Sequence, residues 1–292
     1  MCNEQSELDN EKYLKAGGNL NRRDFAKLTT IASMLALVPP VANALSVTQS
    51  NVTINTPDGD AEAFLVHPSR GKYPGVLMWT DILGLRNAFR TMATRLAQSG
   101  YTVLVPNPFY RSAKIPVVPE GSSFRDPDIR KILFGYASEL TQDATFSDAK
   151  AFIQFLDKQD AVDSSKKIGT NGYCMGGRLL MRTAAAVPDR VGAGASFHAG
   201  GLVTEKVDSP HLLIPQTPAH MLHAIAENDD EKQPEAKNVL AKAYEKAGIP
   251  AEIEVYEGTL HGWCSLDSPV YNEVQAEKAW VRMLELFSNR LV

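Results

Sequence analysis

The chain has 292 residues and a formal net charge of −4. Its acidic isoelectric point of about 5.9 and the lack of a basic stripe argue against nucleic-acid binding. Three cysteines are too few for a disulfide framework.

The first 44 residues have the features of an export signal. Arg22 and Arg23 form a twin-arginine element, a mildly apolar run follows from Leu28 to Val38, and residues 42–44 (Ala-Asn-Ala) match a cleavage site. The apolar run is shorter than the roughly 20 residues that a transmembrane helix needs. We predict that residues 1–44 are a twin-arginine signal peptide, read by the Tat export machinery and then removed. The alternative is a chance Arg-Arg pair before an amphipathic helix.

Residues 45–292 are then predicted to form one domain, periplasmic or secreted from a bacterium and without stable membrane insertion. Strand and helix signals alternate through it. The strand signals are residues 52–54, 61–66, 75–79, 101–105, 167–171, 194–197, 221–226 and 252–256. The helix signals are residues 89–96, 146–156, 177–182, 235–247 and 273–287.

This alternation predicts an α/β class with a doubly wound, mainly parallel sheet. The first two strands flank residues 57–60 (Pro-Asp-Gly-Asp), a hairpin signal, and so predict an antiparallel N-terminal hairpin. The apolar run at 75–79 is typical of a strand buried on both faces. Ligands of such sheets bind at the carboxyl ends of the strands. Residues 107–126 carry little pattern, and we interpret them as the rim of a pocket, the alternative being irregular surface.

Residues 172–176, Gly-Tyr-Cys-Met-Gly, have the pattern of a nucleophile elbow with cysteine in place of serine. Such an elbow turns a strand sharply into a helix, and its glycines avoid clashes with the neighbouring backbone. A thiol at a helix N-terminus gains thiolate character from the helix dipole. Cys174 is therefore the candidate nucleophile, and a buried structural cysteine is the alternative.

A catalytic cysteine needs a base, and the base needs an orienting acid. In α/β-hydrolases the acid and then the histidine follow the nucleophile along the chain. His261 lies in a short loop after the strand signal at 252–256, and we predict it to be the base. Asp229 follows the strand signal at 221–226 and is the predicted acid, with Asp230 in reserve; a solvated helix-capping turn is the alternative.

The oxyanion hole of this fold uses two backbone N–H groups. The predicted donors are Met175, which follows the nucleophile, and Ile82, in the loop after the third strand. Asp81 then points toward the thiol and can hold it in the resting state. The alternative for Asp81 is an N-cap of the helix that begins near Arg86. His198 also ends a strand and is a candidate substrate contact or a capping residue.

These motifs resemble the dienelactone hydrolase family of α/β-hydrolases, over residues 61–287. The resemblance rests on residues 172–177 (GYCMGG), 226–229 (AEND), 261–263 (HGW) and 81–86 (DILGLR). It implies a triad of Cys174, His261 and Asp229, with Ile82 and Met175 as oxyanion donors. Trp263, two residues after the predicted base, is a further candidate substrate contact.

The chain departs from that family at two places. Dienelactone hydrolases have Glu at the position of Asp81, and an Arg shortly after the catalytic histidine that holds the substrate carboxylate. Here residues 262–266 contain no cation. The candidate replacements are the rim arginines Arg86, Arg111, Arg125 and Arg130, of which Arg86 is also a candidate substrate contact.

The sequence thus predicts a hydrolase of carboxylic esters or lactones that needs no metal or organic cofactor. Its predicted partners are a small-molecule substrate and the export machinery. Thioester or amide chemistry at the same site is an alternative within enzymes. A non-catalytic binding or thiol redox-sensing protein is the alternative from another class, in which a Cys174–Cys264 disulfide can switch the site off.

Overall fold

The computed structural model describes residues 4–16, 34–35 and 38–292. The twin-arginine pair, Arg22 and Arg23, lies outside the described residues, as does Cys2. Export and removal of the first 44 residues therefore stay predictions. No described helix combines the length and the apolar character that crossing a membrane requires.

Eight strands and eight α-helices make up the described chain. The strands are β1 (Val47–Thr56), β2 (Gly59–Pro68), β3 (Gly75–Trp79), β4 (Thr102–Pro106), β5 (Ile168–Tyr173), β6 (Val191–Phe197), β7 (His220–Ala226) and β8 (Ala251–Tyr256). The helices are α1 (Glu4–Lys15), α2 (Asn87–Gln98), α3 (Pro127–Ser138), α4 (Gln142–Asp157), α5 (Gly176–Ala186), α6 (Glu227–Lys232), α7 (Ala236–Ala247) and α8 (Glu273–Arg290). A 3₁₀-helix, Pro210–Gln216, precedes β7.

All eight strands join one sheet in the order β1-β2-β4-β3-β5-β6-β7-β8. The pairs β1–β2 and β2–β4 are antiparallel, and every pair from β4–β3 to β7–β8 is parallel. This confirms the predicted fold class: a mainly parallel sheet with an antiparallel N-terminal hairpin. The carboxyl ends of β3, β5, β6, β7 and β8 consequently lie along one edge, where the candidate site residues follow them.

Helices cover both faces of the sheet, as the alternation along β3 shows. Val76 and Met78 belong to a core cluster with α2 and α8, whereas Leu77 and Trp79 belong to a second cluster with α4, α5 and α7. Successive residues of a strand point to opposite faces. A strand buried on both faces must therefore be apolar throughout, which is why the run at 75–79 carries no polar residue.

Several helices begin or end at residues whose side chain or backbone conformation favours a helix terminus. Thr141 caps α4 by accepting from Ala144 N–H, and Asn272 caps α8 by accepting from Gln275 N–H. Gly248 ends α7 in the left-handed conformation, with φ of 68°. The helix α3 was not predicted, although Asp126 caps it and Pro127 begins it.

The N-terminal helix α1 docks on α6. Asp9 forms an ion pair with Lys232 at 2.7 Å and accepts a hydrogen bond from the Asn228 amide at 3.3 Å. Glu7 pairs with Arg125 at 3.2 Å. The segment predicted to be removed thus contacts both the acid-bearing helix and the 107–126 loop, and its removal would expose these polar groups.

Candidate active site

The elbow forms as its glycines require. Cys174 follows β5 with φ of 53°, a left-handed conformation that non-glycine residues seldom adopt. A Cβ atom on Gly172 would lie 2.2 Å from the Gly176 carbonyl oxygen, and one on Gly176 would lie 2.7 Å from the Trp79 carbonyl oxygen. The strand, the turn and the helix therefore approach too closely for any side chain at these two positions, and the backbone strain is concentrated at Cys174.

Cys174, His261 and Asp229 lie together in the order that a catalytic triad needs. His261 Nε2 is 3.1 Å from Cys174 Sγ, and His261 Nδ1 is 2.6 Å from Asp229 Oδ2. The cysteine is 2% exposed and the histidine 4%. The arrangement can move a proton from the thiol to the imidazole and support the resulting cation. The reserve acid, Asp230, instead pairs with Lys237 at 2.5 Å.

The charges of the three groups are coupled. Burial lowers the pKa of His261, but the charges of Asp229 and Cys174 outweigh burial and raise that pKa from 6.5 to about 9. Burial raises the pKa of Asp229, but the charge and the hydrogen bond of His261 outweigh it and lower that pKa from 3.8 to about 2. The imidazolium–carboxylate pair is thus the favoured state over the neutral pH range.

The same shifts set a stability window. Because the folded-state pKa of His261 is raised, its stabilisation is complete below pH 6.5 and is lost as the pH rises through about 9. Because the folded-state pKa of Asp229 is lowered, its stabilisation is complete above pH 3.8 and is lost as the pH falls through about 2. Both contributions are therefore at their full value between these two ordinary pKa values.

The Asp229→Asn variant is expected to lose about 10³–10⁴-fold in kcat, because an amide neither supports the imidazolium nor selects the correct tautomer. Loss of the carboxylate also lowers the pKa of His261 from about 9. The decline of kcat/KM at high pH, where the imidazolium loses its proton, then moves to lower pH. A pH–rate profile from about pH 5 to 10 measures both effects.

Asp230→Asn is the matched control, since it makes the same change one residue away in the pair with Lys237. We expect its pH profile to follow that of the unchanged protein. An Asp229→Asn profile with an unshifted high-pH decline would contradict the assigned role of Asp229.

Asn228 joins the acid helix to the base loop. Its side-chain oxygen accepts a hydrogen bond from His261 N–H at 2.9 Å, and the neighbouring Glu227 accepts one from Gly258 N–H at 2.9 Å. Thr259 Oγ1 in turn accepts from Glu227 N–H at 3.2 Å. These bonds hold the loop from 257 to 261 against α6. The role of Asn228 in joining these two segments was not predicted from the sequence, although its position directly before the predicted acid indicates that it lies near the base.

The predicted oxyanion donors lie on neighbouring segments. Strand β3 pairs with β5 through Trp79 and Gly172, so the loop that holds Ile82 runs beside the elbow that holds Met175. Neither the Ile82 N–H nor the Met175 N–H donates a hydrogen bond to another described residue. Both residues are buried. An oxyanion hole requires backbone N–H groups that are not already used, so the role of these two residues stays a prediction.

Asp81 is held by Arg86 in a network that the sequence did not reveal. Arg86 donates to both carboxylate oxygens of Asp81, at 2.7 and 2.9 Å, and to both oxygens of Asp267, at 2.6 and 2.8 Å. Ser265 Oγ also donates to Asp81 at 3.4 Å. Burial raises the pKa of Asp81, although the Arg86 charge opposes this. The network ties the loop after β3 to the loop after His261.

Asp81 does not cap the following helix. The N-cap of α2 is Arg86, which makes no side-chain capping bond, and Asp81 Oδ1 instead accepts from Leu83 N–H at 2.9 Å. The N-cap alternative was therefore wrong. The resting-state role of Asp81 and the substrate contact of Arg86 stay predictions.

The two other candidate substrate contacts, His198 and Trp263, are both buried. His198 packs edge-on to His261, with ring centroids 5.3 Å apart. Trp263 is fully buried and stacks on Tyr256 at 4.8 Å. The contacts of His198 and Trp263 with substrate stay predictions.

Neither of the two described cysteines forms a disulfide bond. Cys174 belongs to the site, whereas Cys264 is buried among the side chains of α2 and α8, including Met92, Arg95 and Trp280. Burial raises the pKa of Cys264 well above its ordinary value. Within the described residues no cluster of three or more His, Cys, Asp or Glu side chains is arranged to hold a metal ion.

Comparison with known proteins gives consistent results. The model of the dienelactone hydrolase family matches residues 61–291. "Protein usf" of Aquifex pyrophilus is 28% identical over 222 residues, which cover 75% of this chain and 89% of that protein. A Salmonella typhi protein named "Putative carboxymethylenebutenolidase" is 26% identical over 269 residues, 85% of this chain and 94% of its own.

A solved structure shares the fold. The crystal structure of a "Putative Dienelactone Hydrolase" from Klebsiella pneumoniae subsp. pneumoniae MGH 78578 matches with a TM-score of 0.72 and 21% identity. The match covers 83% of this chain and 99% of that one. At this identity the likeness concerns the backbone architecture.

Proposed function

The chain belongs to the dienelactone hydrolase family, and from this membership we propose that it hydrolyses carboxylic esters or lactones with Cys174 as nucleophile. The observation that carries the proposal is the position of His261, 3.1 Å from the thiol of Cys174 and 2.6 Å from the carboxylate of Asp229. The thiol also stands at the N-terminus of α5, where the helix dipole favours an anion.

In the proposed reaction, Cys174 Sγ adds to the substrate carbonyl carbon while His261 holds the thiol proton. The carbonyl oxygen becomes an oxyanion that accepts hydrogen bonds from Ile82 N–H and Met175 N–H. The carbon–oxygen bond to the alcohol then breaks, and the imidazolium gives its proton to the departing oxygen. Asp229 supports the imidazolium throughout. Water finally cleaves the thioester and releases the acid.

The rim arginines bear on the substrate class. Arg86 is engaged with Asp81 and Asp267, and Arg111 with Asp58 and Asp148. A cation already paired with two carboxylates offers little to a further anion. We therefore propose that the acyl group carries no negative charge where it approaches Arg86 or Arg111.

We also propose that the protein is exported by the Tat machinery, on the basis of residues 1–44 of the sequence alone.

Two measurements on the reduced protein test the proposal together. The first is hydrolysis of short p-nitrophenyl esters and simple lactones. The second is inactivation by iodoacetamide, with the modification of each cysteine followed by peptide mass spectrometry. We expect loss of activity to track alkylation of Cys174 and not of Cys264, whose raised pKa keeps it a thiol.

Activity that survives complete alkylation of Cys174 would rule out the cysteine nucleophile. A Cys174 that reacts with iodoacetamide in a protein that hydrolyses no ester or lactone would instead favour the binding or thiol-sensing alternative.

A further inference from the structure

His198 adopts a strained backbone conformation at the end of β6. Its φ is 39°, in the left-handed region that non-glycine residues seldom adopt. Its N–H donates to the Ala224 carbonyl at 2.8 Å. The next residue, Ala199, is packed so tightly on the elbow helix that a Cβ atom on Gly177 would lie 2.2 Å from its own. The residue that follows His198 is thus packed directly against the elbow helix.

His198 and Cys174 occupy equivalent places on neighbouring strands. Tyr173 of β5 pairs with Phe197 of β6, and Cys174 N–H donates to the Phe197 carbonyl at 3.0 Å. Each strand thus ends in a residue with a left-handed backbone, one step beyond the paired position. Adjacent strands lie about 4.8 Å apart, so the two residues start from neighbouring backbone positions.

The imidazole of His198 has no hydrogen-bond partner at either nitrogen among the described residues. It is 1% exposed, and its ring lies at 74° to that of His261. The Trp263 indole N–H, on a ring 6.5 Å away, also has no partner there. A buried polar group without a partner is unfavourable, so these three atoms near His261 would each gain from a polar ligand.

The protonation state of His198 limits which kinds of ligand its imidazole can bind. Burial and the nearby His261 lower the pKa of His198 to about 3. At neutral pH the ring is therefore uncharged, with one nitrogen as donor and the other as acceptor. Such a ring can bind a water molecule without competing with His261 for a proton. A buried water needs two to four polar partners. The His198 imidazole and the Trp263 N–H are without partners among the described residues, and His261 Nε2, which contacts the Cys174 thiol, becomes a third partner once that thiol is acylated.

We propose that His198 holds the water molecule that releases the acyl group from Cys174, an inference that rests on the proposed function. In this step the water oxygen adds to the thioester carbonyl and His261 Nε2 takes its proton. The carbon–sulfur bond then breaks, the carboxylic acid leaves, and Cys174 remains as a thiolate beside the imidazolium. His198 gains and loses no proton overall; it orients the water before the attack.

The test separates acylation from deacylation. His198→Phe keeps an aromatic ring beside His261 but removes both nitrogens. We expect formation of the acyl-enzyme at an unchanged rate and its hydrolysis slowed by about 10²-fold, the effect of losing the orientation of one reactant. Stopped-flow kinetics with a p-nitrophenyl ester would then show a burst of about one product per active site. Intact-protein mass spectrometry would show the acyl group retained.

Three further variants serve as controls for effects on folding and packing. His198→Asn tolerates a left-handed backbone and restores a donor and an acceptor, so we expect deacylation within about tenfold of the unchanged protein. His220→Phe makes the same change at the start of β7, the end of the strand opposite to the candidate site, and should leave both steps unchanged. If the Phe variant fails to fold in a thermal melt, His198→Leu is the second nitrogen-free variant.

A nitrogen-free variant that slows acylation and deacylation equally, without an accumulating acyl-enzyme, would overturn the water role and assign His198 to packing or to the leaving group. Normal turnover in that variant would overturn it too. If the unchanged protein forms no acyl group on Cys174, the proposed function itself fails, which is a distinct result.

Discussion

Replacing Cys174 by Ala is expected to reduce kcat/KM for ester hydrolysis by about 10⁵–10⁶-fold, since removing the nucleophile of a triad leaves only binding and the oxyanion hole. The residual rate should not depend on the pKa of His261, because the imidazole no longer has a thiol to deprotonate. The fold is expected to persist. Alanine is smaller than cysteine and so fits this position, and it adopts the left-handed backbone conformation as readily as cysteine does.

Cys264→Ala is the matched control for this variant. It removes the other described thiol, which is also buried but lies among the side chains of α2 and α8. We expect its kcat/KM to stay within about threefold, because changes away from the reacting groups leave transition-state binding intact. Esterase activity retained by Cys174→Ala, or lost equally in both variants, would argue against Cys174 as the nucleophile.

Gly172→Ala is expected to destabilise the folded chain by more than about 4 kcal/mol or to prevent soluble expression, a size typical of severe backbone clashes. The added Cβ would lie 2.2 Å from the oxygen and 2.5 Å from the carbon of the Gly176 carbonyl. Those atoms belong to the first turn of α5, so they cannot move away as a flexible side chain can. The elbow would have to open, and Cys174 would leave its position beside His261.

The same substitution at Gly135 provides the contrast. Gly135 lies inside α3 on the exposed surface, and a Cβ added there meets nothing within 4 Å. We expect Gly135→Ala to stabilise the chain by about 0.5–1 kcal/mol, the helix-propensity difference between the two residues. Urea unfolding midpoints of the two variants measure both effects. A Gly172→Ala protein with an unchanged midpoint and full activity would contradict the elbow geometry.

Much of the fold was accessible from local patterns. The run at 75–79 is the strand β3 with the predicted bounds, and the hairpin signal at residues 57–60 lies at the β1–β2 turn. The helix α3 was not recognised, because only its first turn carries strong signals, Asp126 and Pro127, and its exposed face is apolar at Ile132 and Phe134. An exposed apolar pair obscures the period by which an amphipathic helix is identified.

The sequence by itself determined the elbow, since only glycines at 172 and 176 allow the sharp turn that places Cys174 between β5 and α5. It also determined the chain order of thiol, acid and histidine, because each follows a strand signal and parallel strands end at one edge. What only the tertiary structure decided is which groups meet across distant loops. Arg86 binds Asp267, 181 positions away, and His198 lies beside His261 with both nitrogens unpaired among the described residues. Such contacts depend on how strands are ordered in the sheet and how loops pack above it, and no local pattern records either.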